Sequence, residues 1–146
     1  MKTVKVTIER GVKGDYSAYI SSNNCEFGCI GEGKTARETE EDFMAGIEDL
    51  KRVYEKEGKT FPDVKFVFQY DVASFLNYYS YAFSLAGLER ITGINQRQLS
   101  HYVTGVRHPS KRTAGRIEKS MKAFASEIAE LIWYKFIKVI RMVLIM

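Results

Sequence analysis

The chain has 146 residues, 45% of them hydrophobic and 27% charged, with a formal charge of +4. That composition excludes a disordered chain and fits one domain or two small ones. The charge is uneven: residues 1–70 hold 11 Lys and Arg against 13 Asp and Glu, residues 71–126 hold 8 against 3, and residues 127–146 hold 3 against 2. An acidic front and a basic middle point to two modules with different partners, the basic one suited to a polyanion.

Thr3 to Arg10 alternates, with Val4, Val6 and Ile8 on one face, which predicts a half-buried strand. Gly11 to Gly14 is a turn, and Tyr16, Ala18 and Ile20 continue a second strand, so the pair reads as a hairpin. Ser21 to Glu26 is polar and loop-like, and Phe27 to Gly31 reads as a third strand ending in Gly31-Glu32-Gly33. Thr35 is a predicted N-cap, with Glu38 completing a capping box. From Ala36 to Glu57 the pattern is helical, with Phe43, Ile47, Leu50 and Tyr54 as the apolar stripe. Gly58 ends that helix, and Val64 to Tyr70 alternates as a fourth strand. The order β-β-β-α-β makes an α+β module over residues 1–70.

Residues 71–128 read as an all-α domain. Asp71 caps a helix carrying Phe75, Leu76, Tyr79 and Phe83. The stretch LAGLERITGINQRQLSHYVTGVRHP, from Leu85 to Pro109, then reads as a helix-turn-helix. Leu85, Leu88 and Ile91 face inward on its first helix, which Gly93 breaks. Asn95 caps the second helix, from Gln96 to about Thr104, and Gly105 closes it. Leu99, Tyr102 and Val103 face inward there, which leaves Gln96, Arg97, Ser100 and His101 facing outward. Gln and Arg at a helix N-terminus carry donors and acceptors that suit base edges in a major groove. Arg107, Lys111 and Arg112, in the basic loop that follows, suit phosphates. A further helix capped by Ser110 or Thr113 packs Ile117, Met121, Phe124, Ala125 and Ile128.

The tail over residues 129–146 reads as an amphipathic helix from Leu131, with Glu127, Glu130, Lys135, Lys138 and Arg141 in one sector. Three charges in so short a run exclude a membrane span; packing in a subunit interface or against the body is the first reading of the apolar face, a membrane surface the second, and a tail without a role of its own the third.

Other motifs favour plain structural readings. Cys25 and Cys29 lack the further Cys/His pair of a zinc site and read as thiols of a reducing cytosol. The N-terminus alternates rather than forming an apolar block, so no signal peptide is expected and a cytoplasmic protein is. Gly33-Lys34-Thr35, with Gly28 four intervening residues before Gly33, has the spacing of a phosphate loop, but a β-to-α turn with a capping threonine suffices. The acids 38–42 read first as a solvated helix face and second as a surface for a basic protein. Tyr78, Tyr79 and Tyr81 read as core rather than as stacking platforms. His101 and His108 have no nucleophile or carboxylate pair nearby. Asp15 and Glu26 lie beside the second and third strands, but no clear acidic set converges for Mg²⁺ chemistry. No metal and no cofactor is expected, and no enzyme activity.

Tyr16-Ser17-Ala18 followed by GEGKTARETEEDFMAGIEDL resembles the HicB antitoxin family, and residues 71–128 resemble the lambda-repressor-like helix-turn-helix class. The resemblance covers roughly residues 3–128. It implies an antitoxin of a type II toxin–antitoxin system that binds a HicA-like mRNA-cleaving toxin through the front module, with Glu38, Glu41 and Asp42 as partner-binding residues. It also implies an autorepressor that binds double-stranded operator DNA as a homodimer or higher oligomer. By pattern, base-reading positions fall on Gln96, Arg97 and His101, while Asn95, Thr104 and Arg107 fall at or near backbone contacts. The chain departs from the pattern at Ser21-Ser22-Asn23-Asn24, where the family often has a proline-containing loop, and at Glu89, where the class usually has Ala. The alternative is a protein-interaction module or a stand-alone regulator with no cognate toxin.

Overall fold

The computed structural model describes residues 1–135. The fold is α+β: strands β1 (Lys2–Arg10), β2 (Tyr16–Ile20) and β3 (Ile30–Gly33), helix α1 (Ala36–Lys56), strand β4 (Val64–Tyr70), then helices α2 (Val72–Tyr78), α3 (Leu85–Thr92), α4 (Gln96–Thr104) and α5 (Lys111–Glu130). The sheet runs β3-β2-β1-β4, with β1 antiparallel to β2 and parallel to β4. One face of the sheet packs on α1. Val4, Val6 and Ile8 of β1 and Phe43 and Ile47 of α1 are fully buried there. Burying each such side chain contributes roughly 1.5–3 kcal/mol. Phe66 and Phe68 reach this core from β4, each edge-on to Phe43, with ring centroids 5.5 and 5.8 Å away.

The third strand lies further along the chain than the hydrophobic pattern predicts. Ile30 to Gly33, not Phe27 to Gly31, pairs with β2, so that Tyr19 opposes Ile30 and Tyr16 opposes Gly33. Two glycines decide this. A Cβ on Gly31 would lie 2.6 Å from the Thr39 carbonyl oxygen, and one on Gly33 would lie 2.8 Å from the Thr39 amide nitrogen. Only backbone without side chains lets α1 come this close to the strand. Phe27 leaves the sheet and packs on Phe61, with centroids 5.0 Å apart. The polar stretch before it bonds to the first half of β1. Ser21 donates its N–H to the Lys5 carbonyl at 2.9 Å, Lys5 donates its own N–H to Ser22 Oγ at 3.1 Å, and Asn24 Nδ2 donates to the Thr3 carbonyl at 2.9 Å.

Thr35 caps α1 by accepting the Glu38 N–H at 3.1 Å. The Glu38 carboxylate accepts the N–H of Lys34 at 3.1 Å, one residue before the cap. A carboxylate thus stands at the helix N-terminus, the place a phosphate takes in a phosphate loop.

α2 joins the two halves. Asp71 donates its N–H to the Ile8 carbonyl at 3.1 Å, one step beyond the β1–β4 ladder. Its carboxylate accepts the N–H of Ser74 at 2.8 Å and that of Arg10 at 3.0 Å. Asn77 Oδ1 accepts the N–H of Ala36 at 2.9 Å, so α2 helps cap α1. Arg37 stacks 4.7 Å from the Tyr78 ring centroid, and the Tyr70 hydroxyl donates to Glu40 at 3.0 Å. α2 ends at Tyr78, short of the predicted run to Phe83, because the chain turns over residues 79–82. Tyr81 is then 72% exposed rather than in the core.

A second cluster, Leu76, Leu88, Ile94, Leu99, Tyr102 and Ile117, holds α2 to α5 together. Of the residues predicted to pack α5, Ile117 is buried and Met121 and Phe124 are half-buried, but Ala125 and Ile128 are exposed. α5 outruns the small core by two turns. The expected helix from Leu131 is not formed over its first five residues. Leu131 is extended at φ −64° and ψ 133°, and residues 131–135 carry no helix. Ile132, Trp133 and Tyr134 are at least 75% exposed, so no packing offsets the cost of ordering a new turn. The rest of that predicted helix, with Lys138 and Arg141, lies outside the described residues. Among the described residues no helix is long and apolar enough to cross a membrane.

Gly31→Ala should destabilise the protein by about 1–3 kcal/mol, because a methyl group is forced against the α1 backbone. Gly28→Ala, with nothing within 4 Å of the added carbon, should be near neutral. Urea unfolding of the two variants compares them directly. Burial and the hydrogen-bonded Glu40 carboxylate push the Tyr70 phenol far above its ordinary 10.0. The unfolded chain gives up this proton first, so the Tyr70 contribution is intact below about pH 10 and declines as pH rises past it. Tyr70→Phe should flatten the loss of stability above about pH 10 in the same unfolding assay.

Candidate nucleic-acid interface

The candidate interface is built on α3, α4 and the start of α5. Ser84 caps α3 by accepting the Gly87 N–H at 3.0 Å. Gly93 then takes φ +75°, a left-handed conformation that suits glycine, and breaks the helix where the sequence predicts. The buried Thr92 hydroxyl donates to the Leu88 carbonyl at 2.7 Å and accepts the Ile94 N–H at 3.2 Å. This one side chain ties the turn to the helix before it. Asn95 Oδ1 accepts the Arg97 N–H at 2.7 Å and starts α4. Leu99 and Tyr102 are buried, which fixes the rotation of α4 about its axis.

The opposite face of α4 is the predicted one. Gln96 and Arg97 are exposed, and Ser100 and His101 are half-buried beside them. Gln98 belongs to the structure instead, since its Nε2 donates to the Tyr102 hydroxyl at 2.6 Å. With its carboxamide oxygen engaged in the cap, Asn95 has Nδ2 left to donate outward. Thr104 is exposed, but its hydroxyl lies 3.2 Å from the Ser100 carbonyl and 3.3 Å from that of His101, so its proton is held by its own helix. Arg107 is exposed in the loop, which its N–H ties back to the His101 carbonyl at 3.3 Å.

Ser110 caps α5 by accepting the Thr113 N–H at 3.1 Å. Lys111 and Arg112 are exposed in the first turn, where the helix dipole adds to their positive charge. Two basic residues were absent from the sequence-predicted set. Arg112, Arg116 and Lys119 line one side of α5 around a shallow cleft. Their spacing of four and three residues marks one helix face and was the available signal. Among the described residues Arg97, Arg107, Lys111, Arg112, Arg116 and Lys119 form no ion pair. The surface therefore carries cations whose charge is not consumed internally.

Arg10 is a further residue that the sequence did not mark. Its guanidinium lies against Gly105, the left-handed residue that ends α4, and beside Gly14. A cation at a helix C-terminus is favoured by the dipole, and this one fixes the end of α4 from the sheet side. Glu89 is half-buried on α3.

The predicted partner-binding acids lie on the first turns of α1 and are all exposed. Two of them already serve the backbone. Glu38 accepts from Lys34, and Asp42 accepts the Glu32 N–H at 2.8 Å, which pins β3 to the helix. Glu41 has no hydrogen bond or ion pair among the described residues. Cys25 and Cys29 are free thiols, and burial raises the Cys29 thiol above its ordinary value.

In comparisons with known proteins, no family model, no curated protein and no solved structure matches the chain.

Proposed function

We propose that the chain is a HicB-type antitoxin that represses its own operon through the helical half and neutralises a HicA-like mRNA-cleaving toxin through the front half. The observation that carries the DNA-binding part is the outward face of α4. Gln96 and Arg97 stand exposed in its first turn, the burial of Leu99 and Tyr102 holds that face outward, and Arg107, Lys111, Arg112, Arg116 and Lys119 beside it form no ion pair among the described residues. In this reading Gln96, Arg97 and His101 meet base edges, with Ser100 beside them. Asn95, Arg107, Lys111 and Arg112 meet phosphates, and Arg116 and Lys119 extend that strip. Thr104 plays a smaller part, because its proton is engaged. A two-fold operator takes two such helices about 34 Å apart, so the working unit is a homodimer or a larger assembly. The function is binding, not catalysis.

The toxin-binding part rests on the resemblance of the front module and on the exposed acids of α1, which complement a basic RNase surface. One observation favours the second reading, a regulator with no toxin: Glu38 and Asp42 are engaged by the chain's own backbone, which leaves Glu41, among the described residues, as the uncommitted acid of the three.

Titration against an enriched pool of duplex DNA at two salt concentrations tests the first part. Arg97→Ala should cost about 1–3 kcal/mol at one base pair and relax specificity there, while Lys111→Ala should weaken all sequences alike and reduce the salt slope by about 1. Equal losses on operator and random DNA for Arg97→Ala would count against α4 as the reading helix. Inhibition of a HicA-type RNase by the whole chain, lost in Glu41→Lys, tests the second part. Intact DNA binding without inhibition leaves the stand-alone regulator.

A further inference from the structure

β4 is an edge strand, and among the described residues nothing pairs with its outer side. Its register with β1 fixes which backbone groups face outward. Lys2 donates its N–H to the Asp63 carbonyl and Asp71 donates its own to the Ile8 carbonyl, so the odd-numbered residues of this segment bond to β1. Strand alternation leaves the N–H and C=O groups of Val64, Phe66, Phe68 and Tyr70 on the outer side. Such a row of unpaired groups is a template for another strand. No proline interrupts the seven residues of β4, and its one charged side chain, Lys65, is exposed on the side away from α1. Beside the edge, between α1 and β4, lies a cleft of about 340 Å³ whose walls include Met44, Ile47, Phe61, Phe66 and Phe68. On the other face Val67, at the centre of the strand, is 41% exposed.

We propose that β4 is a dimerisation edge, on which β4 of a second copy pairs antiparallel about a two-fold axis at Val67. Two four-stranded sheets then become one sheet of eight strands. The strand's own sequence is the occupant that fits. With Val67 on the axis, Phe66 opposes Phe68 of the second copy, and Val64 opposes Tyr70. All four residues with outward backbone groups find a partner, and each opposed pair exchanges two hydrogen bonds. A shift by one pairing step in either direction leaves Tyr70 or Val64 unpaired. On the open face Lys65 stands opposite Gln69, so no like charges meet, and the two Val67 side chains cover each other. On the helix face the phenyl rings of the second copy extend the apolar wall of the cleft. An added strand gains affinity from its main chain and selectivity from the side chains that enter such a cleft. The proposal does not depend on DNA binding by the helical half.

The test is cross-linking of the whole chain. The axial pair is not hydrogen-bonded, which sets its Cα atoms about 4.5 Å apart, within disulfide reach. In a background carrying Cys25→Ser and Cys29→Ser, Val67→Cys should convert most of the protein to a covalent dimer under mild oxidation. Lys65→Cys should give at least tenfold less, because its counterpart is Gln69. Val67→Lys places two ammonium groups on the axis of the dimer but stays exposed in each copy. It should halve the mass seen by sedimentation while leaving the circular dichroism spectrum unchanged. Equal cross-linking at 65 and 67, no cross-linking at 67, or an unchanged mass for Val67→Lys would each overturn the proposal. So would an unmodified chain that is monomeric at every concentration, which would leave the edge to a strand from another protein.

Discussion

The approach of α1 to β3 sets the geometry of the rest. Gly31 and Gly33 carry no side chain under the helix, and α1 settles against them with its backbone nearly in contact with the strand. A helix drawn to one edge of a four-stranded sheet cannot cover the other. It reaches β4 through the long side chains of Phe43, Phe66 and Phe68. The rings of Phe27, Tyr54 and Phe61 fill part of the remaining space, and a cleft persists beside the β4 edge. The same placement brings the first turn of α1 within reach of α2, where Asn77 caps it.

The helical half inherits its orientation from this arrangement. Asp71 continues the ladder of β4 with its amide and starts α2 with its carboxylate. No stretch of free chain separates sheet from helix. α2 packs against α4, and Arg10 meets the far end of α4 at Gly105. Part-buried hydrogen bonds and stacking, rather than ion pairs, hold most of this junction: Asp71 and Asn77 accept from backbone amides, and Arg37 lies over Tyr78. Such contacts are screened by salt far less than surface ion pairs are. The exposed cations of α4 and α5 are left to respond to the ionic surroundings instead.

Much of this was legible in the sequence because local chemistry dictated it. The caps Thr35, Asp71, Ser84, Asn95 and Ser110 act within four residues, and Ser84 alone among them was not foreseen. Gly93 and Gly105 stop their helices by backbone conformation, which is also local. The outward face of α4 followed from the inward spacing of Leu99 and Tyr102. What the sequence concealed was set by tertiary contact. The position of β3 depends on where α1 touches it, so the apolar pattern of Phe27 to Gly31 misled by two to three residues. Thr104 kept the expected place, but its bond to its own helix could not be read from spacing. The free-standing end of α5 and the absence of helix over residues 131–135 share one cause, an apolar pattern with no surface to pack on among the described residues. Arg116 and Lys119 continue from Arg112 at helical spacing, yet their separation in sequence from the helix-turn-helix hid them.

The double service of α2 also bears on how such a chain can be rearranged. A cut at residue 70 looks natural, since strand gives way to helix there. It would leave the Ile8 carbonyl and the amides of Arg10 and Ala36 without the partners that Asp71 and Asn77 supply. A new helical half grafted onto the sheet by recombination would need an acid at its first position and an amide side chain six residues later. Those two residues act as an adaptor, and the sheet accepts a different helical half only if that half carries them.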